Sequence, residues 1–304
     1  MSKDSQIIEE LRSRFKTGHI FCGTDSTEEK ILKLDLFFMS DKSIETKDFK
    51  LIEELANLEE LKITHSKITE IQDLNKLTNL KHIGLYECQI TKIEGLDKLT
   101  NLQSLRLGSN PITKIEGLDK LTNLEYLELD RNEITTIQGL EKLTKLRELW
   151  LFGNNITEIK GLNKLTKLQK LDLYNNKITE IKGLEKLTKL QSLGLERNQI
   201  TTIKGLSKLT KLQTLRLNNN QITEIKGLNK LTELRELRIN GNDVGEEIKG
   251  IHKLGKLREL HLSLTDSQFK IIEINKIKTN NPKLKTITID NYISANCEIL
   301  AYNK

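Results

Sequence analysis

Residues 146–167 read LRELWLFGNNITEIKGLNKLTK, and strings of this pattern follow one another through most of the chain. Each copy opens with L-x-x-[LI]-x-[LI], and the opening leucine returns every 22 residues. These leucines are Leu58, Leu80, Leu102, Leu124, Leu146, Leu168, Leu190, Leu212 and Leu234. So strict a period indicates one structural unit that is copied and stacked on its neighbours.

Within one copy, the spacing of apolar residues changes from two to three. Leu149 and Leu151 alternate with Trp150 and Phe152, as inward and outward residues do in a short strand. The residues that follow at steps of three are Ile156, Ile159, Leu162 and Leu165. A step of three suits tight turns or a 3₁₀-like segment better than a regular α-helix. The sequence therefore predicts an α/β solenoid with a parallel sheet on its concave side and a narrow convex side.

Two further residue types recur once per copy. Asparagine follows the strand at Asn110, Asn132, Asn154, Asn176, Asn198, Asn220 and Asn242. A carboxamide both donates and accepts, so we expect it to satisfy backbone groups between copies. Glycine recurs at Gly95, Gly117, Gly139, Gly161, Gly183, Gly205, Gly227 and Gly250, where we expect positive φ or close packing.

The string ITKIEGLDKLTNLQSLRLGSN and its near copies cover about residues 58–257 and resemble the leucine-rich-repeat family. The unit I-x-x-I-x-G-L-x-x-L-x-x-L is similar to the regulatory subunit of type-1 protein phosphatase that is built from such repeats. Bacterial internalins share the repeat length but usually carry an export signal and recurrent prolines, whereas this chain has Pro111 and Pro282 alone. The resemblance implies a curved solenoid. The phosphatase subunit's usual C-terminal capping sequence is not evident here.

The two ends of the stack need caps, because an open solenoid exposes its apolar column. Ile7, Ile8, Leu11 and Phe15 predict a capping helix over 5–15, followed by a strand through Ile31, Leu34 and Leu36 and a helix through Phe49, Ile52 and Leu55. At the other end, Phe269 to Ile277 predict a helix that ends near Pro282, before a last strand at Leu284, Ile287 and Ile289. We predict one continuous domain: an N-terminal cap over 1–57, repeats over 58–256 and a C-terminal cap over 257–304.

The charge distribution indicates an ordinary solvated surface, and the cysteine content indicates a reducing compartment. The 49 basic and 43 acidic residues are interleaved and leave a net charge of +6, which is typical of an ordinary solvated surface. Cys22, Cys88 and Cys297 are odd in number and far apart, so they imply no disulfide framework.

No apolar run approaches the roughly 18–20 residues of a membrane span, and MSKDSQIIEE does not resemble a signal peptide. We expect a cytoplasmic protein that is monomeric when free; nuclear localisation and signal-less secretion stay open.

Variation between copies is concentrated at the outward strand positions, and aromatic residues are the strongest signal there. The five aromatic residues between Phe49 and Phe269 all fall at such positions: Tyr86, Tyr126, Trp150, Phe152 and Tyr174. Acidic residues surround them at Glu128, Asp130, Glu148, Asp172 and Glu196, with Arg106, Arg131 and Arg197 at the edge. Exposed aromatics ringed by charge dominate protein interfaces. We therefore predict a concave protein-binding patch; simple stacking that stabilises the sheet is the alternative.

The resemblance gives this patch a more specific interpretation. The concave face of the phosphatase subunit is likewise rich in acidic and aromatic residues. The positions that match in residue class are Glu128, Asp130, Trp150, Phe152, Tyr174 and Glu196. The resemblance thus implies a metallophosphatase as partner.

Other kinds of site have weaker support. Arg216, Arg238 and His261 form a basic column that could bind phosphate or an acidic peptide, or could pair with Glu236 and Glu259 across strands. His19 and His252 are isolated, while His65, His82 and Glu87 could ligate zinc only with Cys88, which is predicted to face inward. We therefore expect no catalytic residues, metal or cofactor. Acidic residues beside the aromatics also argue against nucleic acid.

Overall fold

A computed structural model describes residues 2–16, 18–26, 30–38, 43–244, 251, 254–263, 277–279 and 281–290. The chain comprises two compact units, residues 1–149 and residues 150–304. In both units a short strand, a turn and a return segment recur with the period of the sequence. The predicted leucine-rich-repeat solenoid with its parallel sheet is confirmed.

The first unit begins with helices and an antiparallel strand pair before the regular copies start. Its elements are α1 (Lys3–Arg14), β1 (His19–Thr24), β2 (Ile31–Phe37), a 3₁₀ turn (Thr46–Asp48), α2 (Phe49–Ile52), β3 (Glu60–Thr64), β4 (His82–Tyr86), β5 (Ser104–Arg106) and β6 (Tyr126–Glu128). β1 is antiparallel to β2, and each later strand is parallel to the one before it. The strand β7 (Glu148–Trp150) contains the boundary between the units.

The second unit is built from the same kind of copy. Its strands are β8 (Lys170–Asp172), β9 (Ser192–Gly194), β10 (Thr214–Arg216), β11 (Glu236–Arg238), β12 (Glu259–Ser263) and β13 (Thr286–Asp290). All pair in parallel and in sequence order. The register places leucine beside leucine, as with Leu193 and Leu215, so each inward column is continuous within the unit. These leucines are fully buried, and each contributes about 1.5–3 kcal/mol of burial energy.

The return side is narrow because it consists of successive tight turns. In one copy, the backbone N–H of Leu121 donates to the carbonyl of Leu118 at 3.0 Å, and that of Leu124 donates to Leu121 at 3.0 Å. Both bonds join residues three apart, which is the 3₁₀ pattern. The step of three in the sequence therefore predicted this side correctly.

The recurrent asparagines hold consecutive copies together. Asn198 donates from Nδ2 to the carbonyls of Leu173 at 2.9 Å and Leu195 at 3.1 Å, and its Oδ1 accepts from Ile178 N at 3.0 Å. One buried carboxamide thus satisfies backbone C=O and N–H groups of two neighbouring copies, as expected. Gly205 shows why the glycines recur: its φ is +83°, and an added Cβ would lie 2.1 Å from the Ile181 carbonyl oxygen.

The N-terminal cap agrees with the sequence except for one element. In α1, Ile7, Ile8 and Leu11 are buried, and the Ser2 hydroxyl accepts from Ser5 N at 3.2 Å as an N-cap. The predicted strand at Ile31 and the short helix at Phe49 are present. β1 was not predicted, because HIFCGT has neither the leucine spacing nor a recognisable hairpin turn.

The C-terminal cap is described only in part. The last predicted strand is confirmed as β13. Residues 277–279 are helical, whereas Phe269 to Ile274 lie outside the described residues, so the rest of that helix stays a prediction. The predicted domain boundaries likewise stay predictions.

The asparagine ladder makes a testable contribution to stability. Replacing Asn198 with alanine leaves the buried Ile178 N–H without its partner and removes one of the two carboxamide hydrogen bonds to the Leu173 carbonyl. We expect a loss of about 2–4 kcal/mol in the free energy of unfolding. Urea unfolding measures it, with Lys189→Ala, an exposed residue of the same unit, as control. Equal stability of the two variants would contradict the role given to Asn198.

Candidate protein-binding surface

The sheet has one face toward the leucine core and one face away from it, here called the open face. Trp150 and the other four predicted aromatics lie on the open face, and each is partly buried rather than in the core. Their predicted outward placement is confirmed. Tyr86 and Tyr126 belong to the first unit, while Trp150, Phe152 and Tyr174 belong to the second.

In the first unit, two tyrosines converge on one carboxylate. The hydroxyl of Tyr126 donates to Glu128 Oε2 at 3.1 Å, and that of Tyr86 donates to the same oxygen at 3.4 Å. The guanidinium carbon of Arg106 lies 4.5 Å from the Tyr126 ring centre, and Arg106 Nε lies 3.9 Å from Glu128 Oε2. Cation–π and charge-assisted contacts therefore hold the four side chains in one arrangement.

Glycine makes this arrangement possible. Tyr86 and Glu128 are two copies apart, and Gly108 occupies the strand-end position of the copy between them. A Cβ at Gly108 would lie 3.1 Å from Glu128 Oε1 and 3.4 Å from Tyr86 Cδ1. The missing side chain thus lets the tyrosine lean across a whole copy to reach the carboxylate.

Burial shifts the ionisation of both phenols of this cluster to higher pH. Desolvation raises the pKa of Tyr86 and the pKa of Tyr126, and the negative charge of Glu128 raises both further. A neutral phenol can donate one hydrogen bond and still accept others. The cluster therefore presents rigid aromatic surface with polar tips, which is the composition of an interface anchor.

In the second unit, the aromatic residues of adjacent copies are in contact. The ring centres of Phe152 and Tyr174 are 5.6 Å apart with planes inclined by 43°. Arg197 stands at the edge of the pair, its guanidinium carbon 5.7 Å from the Tyr174 ring centre. The sequence predicted that Phe152 and Tyr174 would nearly touch, and this is confirmed.

Two carboxylates converge beside this aromatic pair. Asp172 Oδ1 accepts from the backbone N–H of Tyr174 at 2.9 Å, which fixes its orientation. A Cβ at Gly194 would lie 3.0 Å from Asp172 Oδ1 and 3.1 Å from Glu196 Oε2, so both acids lean over the same glycine. Glu196 Oε2 is buried and has no hydrogen-bond partner among the described residues. The result is a notch lined by two carboxylates, of which the Glu196 group has one oxygen, Oε2, without a hydrogen-bond donor among the described residues.

The surroundings of Glu196 favour its neutral form. Desolvation raises the pKa of Glu196 to about 7, and the nearby charge of Asp172 acts in the same direction. Desolvation also raises the pKa of Asp172, although its bond from Tyr174 N opposes the shift. The charges of Arg216 and Arg238 oppose the shift of Glu196 without cancelling it, so a positive group placed in this notch would further favour the ionised acid.

The basic column predicted as a secondary site is largely neutralised. Arg216 Nε lies 3.2 Å and Arg238 Nε 2.6 Å from Glu236 Oε1. His261 follows Arg238 in the sheet register. The two arginines thus pair with an opposite charge, which was the alternative to a phosphate site.

Three further residues of the predicted patch lie on the same open face. Asp130 and Glu148 in the first unit and Trp150 in the second are partly buried there. Their role as contact residues stays a prediction. Cys88 faces inward as predicted, and burial raises the pKa of its thiol to about 11.

Sequence reasoning missed a set of rings at the start of the first unit. His19 has two aromatic neighbours that the sequence did not indicate, because its ring centre lies 6.3 Å from those of Phe21 and Phe37. Phe37 in turn contacts His65 at 5.2 Å, and His65 Nε2 lies 2.5 Å from Glu87 Oε2. His252 lies outside the described residues. Across the described part of the chain, no three His, Cys, Asp or Glu side chains are grouped closely enough to hold a metal ion.

The chain belongs to the leucine-rich-repeat family. The family described as Leucine Rich repeats (2 copies) matches residues 56–98, 100–142, 144–186, 166–208, 188–230 and 210–250. Proteins of this family generally act as protein-binding scaffolds and are typically non-enzymatic. A search of the curated proteins finds no match to this sequence.

Solved structures of similar proteins include bacterial internalins. An internalin of Listeria monocytogenes is 25% identical with a TM-score of 0.62, over 95% of this chain and 83% of that chain. Internalin C2 of the same organism is 35% identical with a TM-score of 0.53, over 56% of this chain and 74% of that chain. TLR13, solved in complex with ssRNA13, is 26% identical with a TM-score of 0.68, over 75% of this chain and 35% of that chain.

The helices of the described residues include none that could cross a bilayer.

The acid pair predicts a pH dependence of stability. Because the pKa of Glu196 is raised in the folded state, folding favours its protonated form, and this contribution is lost as the pH rises from about 4.5 through about 7. Replacing Glu196 with glutamine removes the ionisation. We expect the melting temperature of Glu196→Gln to exceed that of the wild type above neutral pH and to converge with it near pH 4.5. A constant difference across this range would contradict the environment described for Glu196.

Proposed function

We propose that this protein is a non-enzymatic scaffold that binds another protein through the open face of its sheet. One observation carries the proposal: all five aromatic residues between Phe49 and Phe269 lie partly exposed on that face, while the leucine and isoleucine positions of the core are filled without them. Core packing therefore does not explain their presence. Aromatic residues bury large area at small entropic cost and dominate the binding energy of interfaces.

The acidic residues specify the chemistry of the partner. Glu196 and Asp172 form a notch next to Tyr174, and an aromatic ring beside carboxylates is a favourable environment for a cationic side chain. A lysine or arginine of the partner would supply the hydrogen-bond donor that Glu196 Oε2 lacks among the described residues. We therefore propose that the partner presents a basic, partly apolar surface.

A protein partner is better supported than a nucleic acid. The TLR13 structure was solved with ssRNA13, so the fold is compatible with an RNA ligand. In this chain, however, the aromatic residues stand among acidic side chains, and the negative charges of Glu128 and Asp172 repel phosphate. Arg216 and Arg238, which could attract phosphate, are engaged by a glutamate.

Two aromatic substitutions should weaken partner binding strongly. Partner capture from the native organism, followed by titration of the recovered protein, should show that Trp150→Ala with Phe152→Ala raises the dissociation constant by about 30-fold or more, which corresponds to about 2 kcal/mol. The fold should persist, because both side chains lie on the open face and the core leucines are unchanged.

The matched control lies on the return side of the same copy. Lys164→Ala with Lys167→Ala changes two exposed residues of the side that varies little between copies. This control should bind like the wild type. Retained binding by the aromatic variant, or an equal loss in the lysine variant, would refute the assignment of the face.

Within this function, a metallophosphatase is the specific partner that we propose for testing. The support is the class of residues on the open face, acidic and aromatic at Glu128, Asp130, Trp150, Phe152, Tyr174 and Glu196. Purified type-1 phosphatase catalytic subunit should then bind the chain and lose activity toward a protein substrate. Asp130→Ala with Glu196→Ala should weaken both effects by about tenfold or more. Absence of binding would exclude this partner and leave the general scaffold proposal intact.

A further inference from the structure

β1 is the first strand of the sheet in the first unit, and within the described part of the chain only one of its edges is paired. It runs antiparallel to β2, and no strand of the described residues pairs with its other edge. The outer edge of such a strand carries backbone N–H and C=O groups that can form a ladder with another strand. β1 is therefore a template for strand addition.

The exposed side chain of β1 favours such an addition. Phe21 is 63% exposed, and among the residues that the structure describes it is the one large apolar side chain in that state. The ring of His19 is stacked near it, with centres 6.3 Å apart and planes inclined by 16°. Solvated edge strands are usually protected by lysine, proline or an inward charge, and HIFCGT contains none of these.

Charge determines which occupant fits this edge. Asp35 and Lys33 lie opposite Phe21 and Gly23 on β2, but both are engaged from the β3 side. Lys62 Nζ lies 3.2 Å from Asp35 Oδ2, and Glu60 Oε2 lies 2.9 Å from Lys33 Nζ. These charges are balanced within the sheet, so an identical strand could approach the edge without the repulsion that charged edges impose on their own copies.

We propose that β1 pairs with β1 of a second copy of this chain, in antiparallel orientation across a twofold axis at Phe21. A twofold axis normal to the sheet reverses the strand direction, so self-pairing of one strand is antiparallel. The register of β1 with β2 is regular from His19 to Gly23 and shifts between Gly23 and Thr24. Phe21 is the midpoint of the regular part and therefore faces Phe21 of the other copy.

The proposed pairing buries little surface area, and this determines how the dimer is measured. One short strand and one aromatic ring per copy bury less than the about 1,200–2,000 Å² of stable complexes. The dimer should therefore be weak, with a monomer at low concentration and a dimer at high concentration. The proposal differs from the prediction, made from the sequence, of a chain that is monomeric when free.

Sedimentation velocity from low micromolar to several hundred micromolar tests the dimer. The mass of the wild type should rise from 35.0 kDa toward twice that value. Phe21→Lys should remain monomeric, because two like charges would face each other across the axis. His82→Lys, an exposed residue on the inner strand β4, is the control and should behave like the wild type.

A charge exchange identifies the residues that face each other. Phe21→Glu alone should also be monomeric, whereas an equimolar mixture of Phe21→Lys and Phe21→Glu should dimerise, because opposite charges then meet. A wild type that stays at 35.0 kDa, a Phe21→Lys variant that dimerises, or a mixture that stays monomeric would each overturn the proposal.

Discussion

The hydrogen bonds of one buried carboxamide per copy are the constraint on which the rest of this structure depends. Most strands of the regular copies are only three residues long, and backbone bonds such as Leu173 N–H to the Gly194 carbonyl continue the ladder for a few residues. The carbonyls of the second inward leucines and the N–H groups of the isoleucines after the turn need further partners. Asn176 and its equivalents supply them: Nδ2 bonds to the carbonyls of Leu151 and Leu173, and Oδ1 accepts from Ile156 N. Leucine burial provides the driving energy for stacking the copies. The carboxamide hydrogen bonds determine the spacing and register between neighbouring copies.

Because core and turn residues hold the coil together, the residues on the open face can vary between copies. The inward leucines, the turn asparagine and the return-side glycine account for the coil, and none of them projects from the open face. Outward strand positions can therefore change from copy to copy at little cost to stability. Tyr86 and Glu128 show how far this freedom is used, since glycine in the intervening copy lets side chains two copies apart meet. A surface of this kind can be adapted to a partner without redesign of the scaffold.

The repeated part of the fold was predictable because its physics is periodic. Each inward leucine and each turn asparagine meets the same environment in every copy, so spacing alone identified strands, turns and outward aromatics such as Phe152 and Tyr174. The caps are unique, and prediction was weaker there: α1 was expected from its apolar stripe, but β1 was not. Its ring set of His19, Phe21 and Phe37 was missed because it requires the register of that unpredicted strand. The carboxylate notch was also beyond sequence reasoning, because it depends on how Asp172 and Glu196 lean over Gly194, and side-chain directions do not follow from spacing.

Site-specific photo-crosslinking tests most directly whether the varied open face, rather than the repeated return side, contacts the partner. Lys170 is exposed on β8, on the open face of the second unit, and Lys164 is exposed on the return side of the preceding copy. A photoreactive residue should be introduced at each position in turn and irradiated in an extract of the native organism. We expect a discrete crosslinked protein from position 170 and none from position 164. A crosslink that forms from position 164 alone would contradict the role given to the open face.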